Sequence, residues 1–276
     1  MTARYWTLSL CVASIFSLVS PVYAGDIGSD ISRGQFTGEG GYFELGGTVY
    51  AGNNAVVGVP DDGDTVTGAT VAVSGRWQQG PAFIEYTTLD TVNVGINLLH
   101  TQRWWVDALI SQRHGNFDPQ KIDALENSNL RKRSADVPVG LRATGYLGAT
   151  LVQITVLSGD LRDNHNGYAV AAELGHTWQI RNYNLHWLLG AIFESDDVTH
   201  YYFGIDNTQA DAQFPAYQAS DSLRLVAELG VTLALNENWV LRGQARYAQL
   251  SNSIQDSPII EDDHTTLAAL TLSYVF

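Results

Sequence analysis

Cysteine is almost missing from this chain: Cys11 is the only one among 276 residues. It falls in an apolar N-terminal run, so nothing downstream can form a disulfide or act as a thiol nucleophile. Basic residues are scarce too, with Lys and Arg totalling 15 against 29 Asp and Glu. That balance opposes nucleic acid as a partner, because neutralising phosphates takes clustered Lys and Arg. It equally opposes attachment to anionic lipid through a basic patch. Charge of either sign is thin, at 16%, where soluble domains carry about 25%. After residue 24 no apolar run approaches the ~20 residues that a membrane helix needs. Catalytic motifs are missing as well: there is no G-x-S-x-G elbow, no H-E-x-x-H and no phosphate-binding loop. Gly38-Glu39-Gly40-Gly41 is Gly-rich but lacks the lysine that cradles phosphate. No enzyme and no cofactor are expected.

What is present starts with a leader. Arg4 opens it, an apolar run follows from Tyr5 to Val19, Ser20-Pro21 breaks the run, and Val22-Tyr23-Ala24 supplies small or medium residues before a cut. The expectation is a signal peptide over residues 1–24, cleaved between Ala24 and Gly25, and a single domain over 25–276. Losing Arg4 leaves 14 basic against 29 acidic residues, a net charge of −15.

At the other end, Thr265 to Phe276 reads T-T-L-A-A-L-T-L-S-Y-V-F. Side chains alternate faces along a strand, so Thr266, Ala268, Leu270, Leu272, Tyr274 and Phe276 share one face. The stripe is apolar and ends on aromatics. Period-two alternation recurs through the chain in about twelve segments. They lie near Gly41–Ala51, Thr67–Trp77, Ala82–Thr88, Val92–Leu99, Arg103–Arg113, Val137–Ala143, Val152–Val156, Tyr168–Trp178, Leu185–Glu194, Leu223–Leu235, Trp239–Gln249 and Thr265–Phe276. The sixth and seventh flank a turn placed at Leu147-Gly148. Mean hydropathy is −0.06, as a wall with one lipid face and one polar face would average.

The gaps carry a second rhythm. With both termini on the periplasmic side, the outward gaps are 53–66, 89–91, 114–136, 159–166, 195–222 and 251–264. The inward gaps are short, and only Leu89–Thr91 breaks the pattern. Short inner turns and long outer loops are the mark of an outer-membrane barrel. An even strand number lets the first and last strands close the wall, which lipid requires of every backbone group. The predicted fold is therefore all-β: a transmembrane antiparallel up-and-down barrel of about twelve strands. Trp77, Trp104, Trp178, Trp187, Trp239, Tyr247 and Tyr274 fall near strand ends, where interfacial rings belong.

The face opposite the apolar stripes gathers a predicted lumen cluster: Glu44, Glu85, Asp107, Arg142, Glu173, His186, Arg224, Glu228, Arg242 and Arg246. Such charges are expected to pair with one another and fill the interior; the other reading is a polar pathway for solutes. Glu194, Asp196, Asp197, Asp206, Asp211 and Asp221, with Glu261, Asp262, Asp263 and His264, have no calcium-loop spacing. They are expected to form a solvated acidic outer rim, with no metal.

The C-terminal half resembles the MipA/OmpV family. The resemblance rests on Tyr201-Tyr202-Phe203-Gly204-Ile205, Phe214-Pro215-Ala216-Tyr217 followed by Leu223–Leu235, Trp239–Leu250, Asp256-Ser257-Pro258-Ile259-Ile260 and the closing Tyr274-Val275-Phe276. It implies a non-enzymatic barrel of the Gram-negative outer membrane. One family member is described as a scaffold joining a lytic transglycosylase to a bifunctional penicillin-binding protein in peptidoglycan growth; others are described as surface antigens or adhesins. The implied partners are outer-membrane lipid, the two murein enzymes and the barrel assembly machinery. That machinery would read Leu270, Leu272, Tyr274 and Phe276 as a closing signal.

Overall fold

The structure, a computed structural model, describes residues 39–59, 65–87 and 92–276. Ala24 and Gly25, with the whole leader, lie outside the described residues. Twelve antiparallel strands close into one barrel, each paired with its neighbour in sequence and the last with the first. They are β1 (Gly40–Asn53), β2 (Val66–Gln79), β3 (Ala82–Thr87), β4 (Val92–His100), β5 (Trp104–Gln112), β6 (Val139–Leu147), β7 (Thr150–Ser158), β8 (Tyr168–Ile180), β9 (Tyr183–Glu194), β10 (Ser222–Ala234), β11 (Trp239–Gln249) and β12 (His264–Val275).

The alternation read from the sequence sets the two faces. On β10, Leu223, Leu225, Leu229 and Val231 are exposed, while Arg224, Val226, Glu228 and Thr232 are buried. The same split holds on β5, where Trp104 and Ile110 face out and Trp105, Asp107 and Leu109 face in. A soluble sandwich would bury the leucines. Here the exposed residues are the apolar ones and the enclosed residues carry the charge, which is stable only if the outer surface meets hydrocarbon. The wall closes where Glu44 to Asn53 of β1 run against Thr266 to Val275 of β12. Past the end of β12, the Phe276 amide donates to the Phe43 carbonyl at 2.9 Å.

The two rims differ. At the rim with short connections, β6 and β7 turn on Gly148-Ala149, one residue later than the expected Leu147-Gly148, because Leu147 still pairs with Thr150. Gly148 has a φ of +67°, a left-handed value that costs a residue with a Cβ roughly 1–2 kcal/mol. Trp77, Trp104, Trp178, Tyr183 and Trp239 stand exposed near this rim. The long connections all lie at the other rim. Among the described residues they carry a 3-10 turn (Pro119–Lys121) and two helices, α1 (Asp196–Phe203) and α2 (Asn252–Gln255).

Candidate functional site

The lumen is built in layers. Near the short-turn rim sits a belt of paired charges. Arg142 donates to Glu85 and, at 3.1 Å, to Asp107. Arg76 reaches the other Glu85 oxygen at 2.9 Å, and the Asn93 and Asn97 amides complete the two acids at 2.9 and 2.8 Å. Glu44 accepts from Arg242 at 2.9 Å. Glu228 accepts from Arg246 at 2.7 Å and lies 3.2 Å from His186 Nε2. The His186 ring fits because β10 has glycine opposite: a Cβ on Gly230 would stand 2.2 Å from that ring. Glu173 faces inward on β8 against Gly190. Each predicted lumen residue is thus on the inner face, but not in one cluster: Arg224 sits apart, higher up.

Apolar side chains run from the belt toward the outer rim, starting with Phe83, which packs under the Arg76 and Arg142 guanidinium groups. Phe83, Leu109, Leu151, Leu157, Leu188, Ile192 and Val226 pack together from five strands. Burying such side chains is worth about 1.5–3 kcal/mol each, so this cluster is a core that fills part of the lumen.

A second charged layer follows. Glu194, the last residue of β9, is fully buried. It accepts from Arg113, lies 3.0 Å from Arg224 Nη2 and 3.2 Å from His114 Nε2. His114 Nδ1 is 3.2 Å from Asp136, whose second oxygen accepts the His114 amide at 2.9 Å. His165 approaches the same Asp136 at 3.5 Å, and the Tyr202 ring stacks on His114 at 4.0 Å. Burial would raise the Asp136 carboxyl, but the charge and hydrogen bond of His114 outweigh it and hold it well below its usual range. Burial would lower His114; Asp136 and Glu194 together raise it instead. Burial pushes the Tyr202 hydroxyl up.

The outer connections close over this layer as a folded cap. Phe117, Ile122, Leu125, Leu130, Val198, Phe203, Phe214 and Ile254 form one buried cluster with Tyr50 and Ala269 of the wall. Arg133 stitches two loops together. It donates to the Tyr201 and Gly204 carbonyls at 2.9 and 2.7 Å, at the C-terminal end of α1, and lies over Phe117 at 5.1 Å. Burial pulls its guanidinium down to about 10, so it stays charged and meets the negative end of the helix dipole.

The cap corrects one expectation. The outer loops are not wholly a solvated acidic rim: Glu194 lies inside, and the loops carry their own apolar core. Asp196, Asp197 and Asp221 do face solvent. His264 is bonded to Asp263 at 2.7 Å and stacked on Tyr247. Among the described residues no group of His and acids could hold a metal. The sequence reading also missed Arg113, His114, Asp136 and His165 as partners. Alternation gave a signal for Arg113, which continues the inward series Asp107, Leu109, Ser111. The other three lie in loops with no periodicity to follow.

The chain is similar to proteins of one family. A family model described as MltA-interacting protein MipA matches residues 36–276. Outer membrane protein OmpV of Vibrio cholerae is 28% identical over 160 residues, covering 58% of this chain and 61% of that protein. The MltA-interacting protein of Escherichia coli is 28% identical over 167 residues, covering 58% of this chain and 66% of that protein. The chain thus spans about three-fifths of the length of the OmpV relative. Among solved structures, the Pseudomonas putida toluene transporter TodX overlays at a TM-score of 0.40 and 10% identity, covering 95% of this chain and 96% of that one.

Proposed function

The chain belongs to the MltA-interacting protein MipA family and is an outer-membrane β-barrel, and from that premise we propose that it works as a non-enzymatic scaffold. In this reading residues 1–24 are removed on export and 25–276 act as one domain. Its periplasmic rim holds a lytic transglycosylase and a bifunctional penicillin-binding protein during peptidoglycan growth. The name of the Escherichia coli relative supports the first partner. The observation that carries the reading is the set of paired charges and apolar side chains packed inside the lumen. Such packing supports the barrel serving as a platform, and it counts against the alternative of a small-solute channel. The rim offers apolar contacts suited to a partner: Leu98, Leu99, Leu147, Ile180 and Leu235 are exposed there. Leu98 bulges out of register with β5, and bulges of this kind re-aim side chains at rims.

Affinity capture with the tagged mature protein from solubilised envelopes tests this. A transglycosylase or a penicillin-binding protein should be recovered repeatedly, and Leu98→Glu with Leu147→Glu should reduce recovery. Capture of neither enzyme would reject the scaffold. Planar-bilayer recording of the refolded protein should show no conductance above background; steady conductance would restore the channel.

A further inference from the structure

The wall has two heights. Strands β8, β9 and β10 run for 13, 12 and 13 residues, whereas β3 has six and β4 nine. At about 3.3 Å per residue and a tilt near 45°, thirteen residues rise about 30 Å and six rise about 14 Å. A strand needs about 9–11 residues to cross, so β3 falls short. Whatever their path, the four residues between Thr87 and Val92 can lift that hairpin by at most about 7 Å.

The neighbouring strand makes the deficit visible. β2 pairs with β3 only from Ser74 to Gln79. Above that it continues for eight residues, Val66–Val73, about 26 Å of strand. Among the described residues, Thr67–Ala72 pair with β1 on one side and with no strand on the other. Lipid does not accept an open sheet edge, because its N–H and C=O groups find no partner in hydrocarbon. This edge must therefore stand above the hydrocarbon. Across the barrel the requirement is opposite. Leu223, Leu225 and Leu229 are exposed along β10, Leu229 at 65%, and they need hydrocarbon to the top of their strand.

We infer that the barrel pinches the outer membrane. The hydrocarbon layer is about half as thick beside β2–β4 as beside β8–β10, and outer-leaflet headgroups fill the notch next to the upper β2 edge. The occupant is lipid, because an acyl ceiling low on one side and high on the other satisfies both the bare edge and the leucine stripe. Mismatch of this kind costs only fractions of a kcal/mol per Å, less than leaving the polar edge in oil.

Single-cysteine variants of the mature barrel test this, since it has no other cysteine. Val71 and Leu225 stand eight and nine residues above the periplasmic ends of β2 and β10. With nitroxides at each in proteoliposomes, the Val71 label should collide mainly with a water-soluble nickel chelate and the Leu225 label mainly with oxygen. Labels at Leu147 and Leu235, both at the periplasmic rim, should report equal depths. Hydrocarbon depth at Val71 would overturn the inference. So would a Val71 label shielded from both reagents, which would mean a protein strand covers the edge. Unequal depths at the periplasmic pair would replace thinning with tilting of a rigid barrel.

Discussion

The two ends of this barrel reverse the chain by different means. At the periplasmic end each reversal is local: Gly148-Ala149 and its counterparts turn with backbone conformations set by a few residues. At the outer end all the reversals but the four-residue one after β3 are long, and the long ones lean on one another. They are held by a shared apolar core and by a charge chain running from Arg224 and Arg113 through Glu194 and His114 to Asp136. The contrast shows where information is stored. The inner rim is written in short windows, and the outer rim in contacts between loops that lie 70 or 80 residues apart, as with Arg113 and Glu194 at a separation of 81.

The sharpest way to break the comparison is to remove the hub of the outer layer. Glu194→Gln leaves two buried guanidinium groups short of a counter-charge. Such losses cost about 3–5 kcal/mol, read by urea unfolding in short-chain lipid bilayers. Next is Leu125→Ala, at a fully buried position in the cap, with an expected loss of about 2–5 kcal/mol. Its signature should be regional: the loops become open to protease while the barrel keeps its heat-modifiable mobility. A uniform loss would mean that cap and barrel form one cooperative unit.

A smaller effect should follow pH. His114 is raised above its ordinary value by Asp136 and Glu194, so its charged form is favoured in the folded cap. Its contribution is complete below about 6.5, and declines as pH climbs through the raised value. Loop proteolysis should therefore accelerate on the alkaline side, and His114→Gln should flatten the profile. The smallest change belongs to the other rim: Gly148→Ala should cost about 1–2 kcal/mol through its left-handed backbone and leave the cap untouched.

The wall was legible in the sequence because lipid enforces a period of two on every strand. Val94 and Ile96 face out because hydrocarbon tolerates little else, and alternation alone put Asp107 and Arg142 inside. Glu194 shows the limit. Its parity with Leu188 and Ile192 placed it on the inner face, while its neighbours Asp196 and Asp197 made it look like part of a solvated rim. Parity was the better guide. His114, Asp136 and His165 offered no such handle, since loop residues meet through tertiary packing that no spacing encodes. The short gap at Leu89–Thr91 stood out as an exception to the loop rhythm, but its meaning needed the register of β2 against β3.

The seam carries a consequence for how the molecule comes into being. Thr48 bonds Thr271 at 2.7 Å across a separation of 223 residues, and such distant contacts form late because loop-closure entropy must be overcome first. The strand that leaves the ribosome first can find its second neighbour only when nearly everything else has been made. Until β12 is made, the second edge of β1 has no partner in the chain, and an unmatched strand edge is where chains aggregate.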